Sequence, residues 1–554
     1  MITRLLLAAT ALALSAPASA DLLVTNVNGI RVGADRKVER FTGLLVGDDG
    51  KVKRVLKGEQ LKLAPGTRVL NGGGRTLLPG LIDAHGHVML LGLGLGQLDL
   101  VGTRSLADFQ QRLRAYAAAN PDLKWITGRG WNQELWPTRR FPTTADLDAV
   151  VADRPVWLER VDGHAHVGNS AALRAAGITA ATKAPPGGSI DNGVFVDAAT
   201  ALVDKHVPAP TPAMRDAALR SAQEALLSRG LTAVADMGTT MDDWAAMNRA
   251  SIAGDLPLRI FVYASGSTTL EQMVRTPFPA LHADKVVPVI GVKLYADGAL
   301  GSRGAWLKAP YSDAPHTRGL SLLTAEELRV AGRAALSLGK QVAVHAIGDA
   351  ANDMVLAGLA AIGCGEQDRR CRVEHAQVVD VRDLERFGAY RILASMQPVH
   401  QTSDRLMAEA RLGPDRLAGA YAWASLDNLA TSMPLGSDFP VEDANPFHGL
   451  AAAISRQGLD GQPAGGWRPQ ERLSLGKALA GFTRVAAYAS FAEDRMGGLD
   501  PGQEADFILV DRDIAAVTPQ LLARTQVLET WIGGKKVWQK DVGPAQAGTS
   551  GERG

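Results

Sequence analysis

Short apolar runs broken by turn residues occupy both ends of the chain, while the long middle alternates β-rich apolar runs with Ala/Leu-rich stretches of helical period. Near the start, Leu22–Thr25, Thr42–Val46, Val52–Leu56 and Arg68–Leu70, with Asp48-Asp49-Gly50 as a hairpin turn, predict a small antiparallel sheet. The texture returns in Ala505–Val510 and in Val527–Ile532 followed by Gly533-Gly534, so the two ends are expected to pair into one sandwich. Between them stand eight strand candidates, Leu78–His85, Leu231–Asp236, Leu258–Tyr263, Val289–Tyr295, Gln341–His345, Arg372–His375, Ile392–Met396 and Met433–Ser437. Several follow one another at close to the roughly 31 residues that eight units would take from a barrel of typical size. The pattern predicts an α/β fold, a (β/α)8 TIM barrel with a small β-sandwich built from both chain ends. The stretch from Leu91 to about Gly230 is too long for a loop and is read as an inserted cap domain.

These readings divide the chain into a signal peptide at 1–20, a β-sandwich from 21–77 and 493–540, a barrel from 78–90 and 231–492, a cap at 91–230 and a disordered tail at 541–554. The signal rests on Arg4, the apolar run Leu5–Leu14 and the small-x-small pattern Ala18-Ser19-Ala20. Its apolar core is shorter than the ~20 residues that span a bilayer, and no later run is long and unbroken enough. A periplasmic or secreted protein with no membrane association after signal cleavage is expected.

Composition narrows the function. Hydrophobic residues make up 46% and charged residues 21%, which is globular composition. Lys+Arg 59 against Asp+Glu 58 leaves a net charge of +1, so nothing in the total points to nucleic acid or an acidic membrane. Two cysteines exclude a disulfide scaffold and a cysteine-rich zinc module. Cys364 and Cys371 form either a local disulfide or two buried thiols.

The chemistry gathers at strand ends. In Leu78-Pro79-Gly80-Leu81-Ile82-Asp83-Ala84-His85-Gly86-His87 the two histidines share a strand face, and Gly86 lets the backbone approach whatever they bind. A His-x-His alone is either a chelate or two ordinary polar residues. Lys293, inside an apolar strand, needs a partner such as Asp297 or Asp236, or altered chemistry. Two further candidates end on His345 and His375, and the last ends on Gly436-Ser437-Asp438. Five strand ends of one barrel carry His, Lys or Asp, and in such barrels the C-terminal strand ends form the active-site face. Asp83, on the same face as His85, either orients a ligand or is structural. Asp349 and Asn352 are expected to cap the helix after His345.

On these residues the sequence resembles the amidohydrolase superfamily in its binuclear form. Gly130-Trp131-Asn132, Asp162-Gly163-His164, the run from Asp297-Gly298 to Gly304-Ala305, and His345-Ala346-Ile347-Gly348-Asp349 are similar to the branch that includes N-substituted formamide deformylases. The resemblance implies that His85 and His87 bind one metal and His345 and His375 the other, with Lys293 bridging as a carbamate. Asp438 would complete the first site and carry the proton. Two divalent ions, with zinc as the metal, are the implied cofactors. The His-x-x-Glu of deaminase members is missing, since Ala346-Ile347-Gly348 follows His345.

The expected activity is hydrolysis of a non-peptide carbon–nitrogen bond in a small amide, formamide or cyclic amide, through a metal-bridging hydroxide. An ester or lactone hydrolase on the same site, and a non-catalytic regulatory or binding protein on the same fold, are the alternatives. Trp131, His164 and Arg303 are candidate substrate contacts, with Trp136 and His166 weaker ones, and His400 a rim residue. A homo-oligomer is compatible with all of this, and no nucleic-acid partner is expected.

Overall fold

The computed structural model describes residues 20–541, so the expected signal peptide, up to its last residue, and the tail from 542 onward lie outside the described residues. Two sheets form from the chain ends. One orders Val52–Leu56, Gly43–Val46, Leu22–Thr25 and Arg68–Asn71; the other orders Lys535–Gln539, Val527–Ile532, Phe507–Val510, Thr76–Pro79, Asn28–Val32 and Val38–Phe41. They share a core that includes Val24, Leu44, Val52, Leu77, Phe507 and Leu509, which makes a sandwich of both ends. Phe507–Val510 pairs antiparallel with Thr76–Pro79, so Leu78 and Pro79 belong to the sandwich rather than to the first barrel strand. Gly80 separates the two. A side chain there would meet Thr232 at 2.3 Å, so only glycine lets the chain pass from one sheet to the next at this point.

The barrel sheet holds seven parallel strands: Leu81–Gly86, Leu231–Thr239, Arg259–Ser265, Val289–Tyr295, Gln341–Ala346, Arg372–His375 and Leu393–Ser395. The eighth candidate, Met433–Ser437, is an irregular segment rather than a regular strand. It closes the ring through parallel bridges from Leu435 to Met396 and from Phe439 to Gly86. Pro434 has no N–H to give a ladder, which limits the pairing there. Backbone hydrogen bonds still join the segment to both neighbours, among them Ala84 N to Leu435 O, 3.1 Å, and Asp438 N to His85 O, 2.7 Å, on the first-strand side, and Met396 N to Pro434 O and Gly436 N to Met396 O, both 3.1 Å, on the seventh-strand side.

The inserted segment builds its own mixed sheet from Leu98–Asp99, Ile126–Trp131, Val156–Arg160, Ala165–Gly168, Val194–Asp197 and Gly188–Asp191. Its core contains Phe109, Leu113, Trp131, Trp136 and Leu158. The helix Pro212–Leu227 does not share that core. Its Leu219, Ala222 and Leu226 pack in the cluster that the barrel strands share with the sandwich. Cys364 and Cys371 are joined as a disulfide, their Cα atoms 5.6 Å apart.

Candidate metal centre

Strand alternation brings His85 and His87 to one side of the first barrel strand, and the irregular eighth segment brings Asp438 to meet them. The His87 Nε2 lies 3.0 Å and the His85 Nε2 3.4 Å from Asp438 Oδ1. Gly86, between the histidines, is packed against the Phe439 ring, which a side chain would strike at 2.2 Å. The close approach that glycine permits is thus to the eighth segment rather than to a ligand. Asp438 and His375 both hold positive φ, +60° and +76°. Backbone of this kind in non-glycine residues is uncommon and clusters at functional sites.

Lys293 reaches this centre from the fourth strand, its Nζ 3.2 Å from His85 Nε2 and 5.1 Å from the centre of the Tyr295 ring. Burial pulls its ammonium down to about 8. Its expected ion-pair partners are occupied elsewhere. Asp236 accepts from Val88 N and Thr239 Oγ1, and Asp297 accepts from the backbone of Trp306, Ile347 and Gly348. The rings of His345 and His375 lie 4.6 Å apart, and that of His375 lies 4.8 Å from His85. Burial pulls His85 down to about 4 and holds His345 and His375 well below the usual imidazole range, which leaves neutral nitrogens suited to metal. Burial works to raise Asp438, but its contacts with the surrounding histidines, the His87 hydrogen bond among them, outweigh it and hold the carboxylate well below its ordinary range.

Three residues not singled out from the sequence orient this set. The His85 Nδ1–H donates to Glu374 Oε2 at 2.6 Å, so Nε2 is the nitrogen turned to the centre. Glu374 is held in turn by Arg372, and both are fully buried. His375 Nδ1–H donates to Gln397 Oε1 at 2.8 Å. Glu374 stands beside His375 in the sequence, yet its contact with His85, 289 positions away, is made only by the fold. Asp83 is a positioning residue as well as a structural one. It accepts from His85 N and from the Ser437 N and Oγ, which ties the first strand to the eighth segment. Asn352 donates to the carbonyls of Ala346, Gly348 and Val378, and Gly348 rather than Asp349 caps the helix.

A cavity of about 920 Å³ opens between the centre and the cap. His164 lines it, its ring 5.0 Å from that of His345. Trp131 and Arg303 do not line it. Trp131 is fully buried in the cap core, its indole donating to Leu158 O, because a ring of that size is the natural filler under a sheet. Arg303 turns away to pair with Asp313 at 2.9 Å. Trp136 is likewise core, bonded to Thr103 O, and His166 stacks on Trp157. His400, expected at the rim, lies inside at 9% exposure, with its Nε2 3.6 Å from Asp438 Oδ2.

Burial opposes charge on His164, yet Asp197, 2.6 Å from Nδ1, outweighs it and lifts the imidazole to about 9. A cationic group whose folded pKa lies above its ordinary 6.5 stabilises the fold fully below that value and loses the contribution as pH rises through about 9. The gap in urea midpoint between wild type and His164→Phe should therefore be larger at pH 6 than at pH 10, narrowing as pH rises through about 9.

The donor set fits a metal. His85, His87 and Asp438 form one group, and His375, His400 and Asp438 another, in each of which one ligand atom per residue lies within 4.8 Å of the others. Imidazole and carboxylate donors suit zinc in an open catalytic site. A family model for the amidohydrolase family matches residues 68–538. The chain belongs to the amidohydrolase family. This amidohydrolase is 33% identical over 512 residues to the Protein LONG AFTER FAR-RED 3 of Arabidopsis thaliana, with 86% of this chain and 84% of that one covered. It is 25% identical over 526 residues to an N-substituted formamide deformylase of Arthrobacter pascens, with 85% and 90% covered. Its fold matches that of an uncharacterized metal-dependent hydrolase from Pyrococcus horikoshii OT3 with a TM-score of 0.73 and 28% identity, over 90% of this chain and 99% of that one. As a member of the family it is a metal-dependent hydrolase acting on carbon–nitrogen bonds, the class expected from the strand-end residues.

Proposed function

We propose that this amidohydrolase cleaves the carbon–nitrogen bond of a small amide, formamide or cyclic amide that carries an apolar substituent, and that it works after export. The observation that carries the reading is the convergence of strand-end side chains on Asp438 at the floor of one cavity. His85, His87 and Asp438 would hold one ion and His345 and His375 the other, with Lys293 as a carbamate between them. When bound, such ions supply a water activated near neutral pH and polarise the scissile carbonyl.

The protein's own groups do the rest. Asp438 takes a proton on a carboxylate oxygen and delivers it to the departing nitrogen, since an amine leaves poorly without one. Glu374 and Gln397 keep the Nδ1 protons of His85 and His375 away from the centre. Five exposed apolar side chains line the cavity, Leu95, Val101, Leu135, Leu406 and Leu459, and would receive the apolar substituent. The disulfide between Cys364 and Cys371 suits an oxidising compartment, in line with the signal pattern at 1–20.

The test is release of free amine from a panel of N-formyl, N-acyl and cyclic amides that differ in the apolarity of the nitrogen substituent. Turnover is expected to rise with that apolarity, to vanish with a chelator and to return with zinc. Turnover indifferent to the substituent would remove the role of the leucine rim, and turnover indifferent to chelation would remove the metal.

A further inference from the structure

We infer that His400 is itself a metal ligand, an addition to the ligand set that the family resemblance implies. His400 is the third residue of the helix Pro398–Leu412, which follows the seventh barrel strand. Gln397 precedes that helix at the N-cap position with its side chain turned to His375 instead of the helix end, and Pro398 opens the helix with the backbone angle a helix start requires. One turn thereby supplies both the amide that orients His375 and a second imidazole beside it. The rings of His375 and His400 lie 5.8 Å apart and are inclined by only 21°.

The His400 Nε2 is buried and has no hydrogen-bond partner. His400 lines the catalytic cavity, and its Nε2 lies 3.6 Å from Asp438 Oδ2. That is long for a hydrogen bond. It is close to the separation of about 3.4 Å that two donors take when each sits about 2.1 Å from one tetrahedral ion. His87 and Asp438 Oδ1, in the other group, lie 3.0 Å apart. The Asp438 carboxylate thus faces His85 and His87 with one oxygen and His400 with the other. Each oxygen of an ionised carboxylate has two lone pairs, so ligation through one pair leaves another for the proton that Asp438 carries. A buried polar nitrogen left without a partner is otherwise an unexplained cost, and an ion shared with His375 and Asp438 removes it.

This assignment rests on the metallohydrolase reading above, and the experiment separates the two. Wild type, His400→Ala and His400→Gln are stripped with a chelator and titrated with zinc, and bound zinc is counted by mass spectrometry. Cobalt-loaded samples report the coordination by visible absorption, and circular dichroism reports folding. His316→Ala, in a loop away from the centre, is the control. Wild type and the control are expected to bind two ions, whereas both His400 variants keep one and bind the second at least 10-fold more weakly, with an altered cobalt spectrum. Wild-type zinc stoichiometry, affinity and cobalt spectrum in a folded His400 variant would overturn the assignment while leaving the metallohydrolase intact. A wild type that binds no zinc would overturn the metallohydrolase reading and His400 with it.

Discussion

Asp438→Asn is expected to lower kcat/KM for amine release by about 10²–10⁴, the usual contribution of a positioned proton carrier. Asparagine keeps the shape of the side chain and removes both its charge and its ability to hold the transferred proton. The loss should fall mainly on kcat, because the cavity walls that receive the substrate are untouched. Asp438 also faces His85 and His87, so zinc content must be measured on the same sample. A variant that keeps its zinc and loses turnover isolates the proton role. One that loses both shows the carboxylate acting first as a ligand. Wild-type turnover in Asp438→Asn would remove it from the mechanism.

Arg372→Leu is expected to cost about 3–5 kcal/mol of folding stability, the range for breaking a buried ion pair from one side. The guanidinium bonds to both oxygens of Glu374, to Ala84 O at 2.7 Å, to Ser395 Oγ at 2.6 Å and to Tyr263 OH at 3.1 Å, all of them buried. Without it Glu374 is a carboxylate in the barrel interior with His85 as its remaining partner, and it would take up a proton rather than stay charged. The lost anion should also weaken zinc binding by about 10–100-fold, the usual effect of removing a group that orients a ligating histidine. The double variant Arg372→Leu with Glu374→Leu separates these effects. Removing both charges should recover most of the stability, while zinc affinity stays low because nothing holds the His85 ring. Denaturant unfolding and zinc titration read the two quantities, and a stability loss below about 1 kcal/mol in the single variant would show that the pair is not what holds this layer of the barrel.

The strand-end histidines, Lys293 and Asp438 were legible because period-2 alternation and strand length tell which residues stand together at the C-terminal mouth of a barrel. The same reasoning found the split sandwich, since alternating patterns separated by a long middle still have complementary apolar faces to bury. It failed where packing rather than pattern decides. Trp131 and Arg303 carry types common in binding sites, but one fills the cap core and the other is drawn off by Asp313. The helix Pro212–Leu227 has the same amphipathic character as the cap helices, and only its neighbours show that it packs in the cluster of the barrel strands.

By itself, then, the sequence determined the alternation of strands and helices in the barrel and the chemical types that stand at the strand ends. These follow from local periodicity and from which side chains can be buried. The tertiary structure alone decided the partnerships across the barrel: Glu374 on His85, Gln397 on His375, and His400 opposite the second oxygen of Asp438. Such contacts join residues up to 289 positions apart, as His85 and Glu374 are, and depend on strand register and on how an irregular eighth segment closes the ring. No local pattern encodes a register of that range, because it is fixed by the packing of the whole barrel at once.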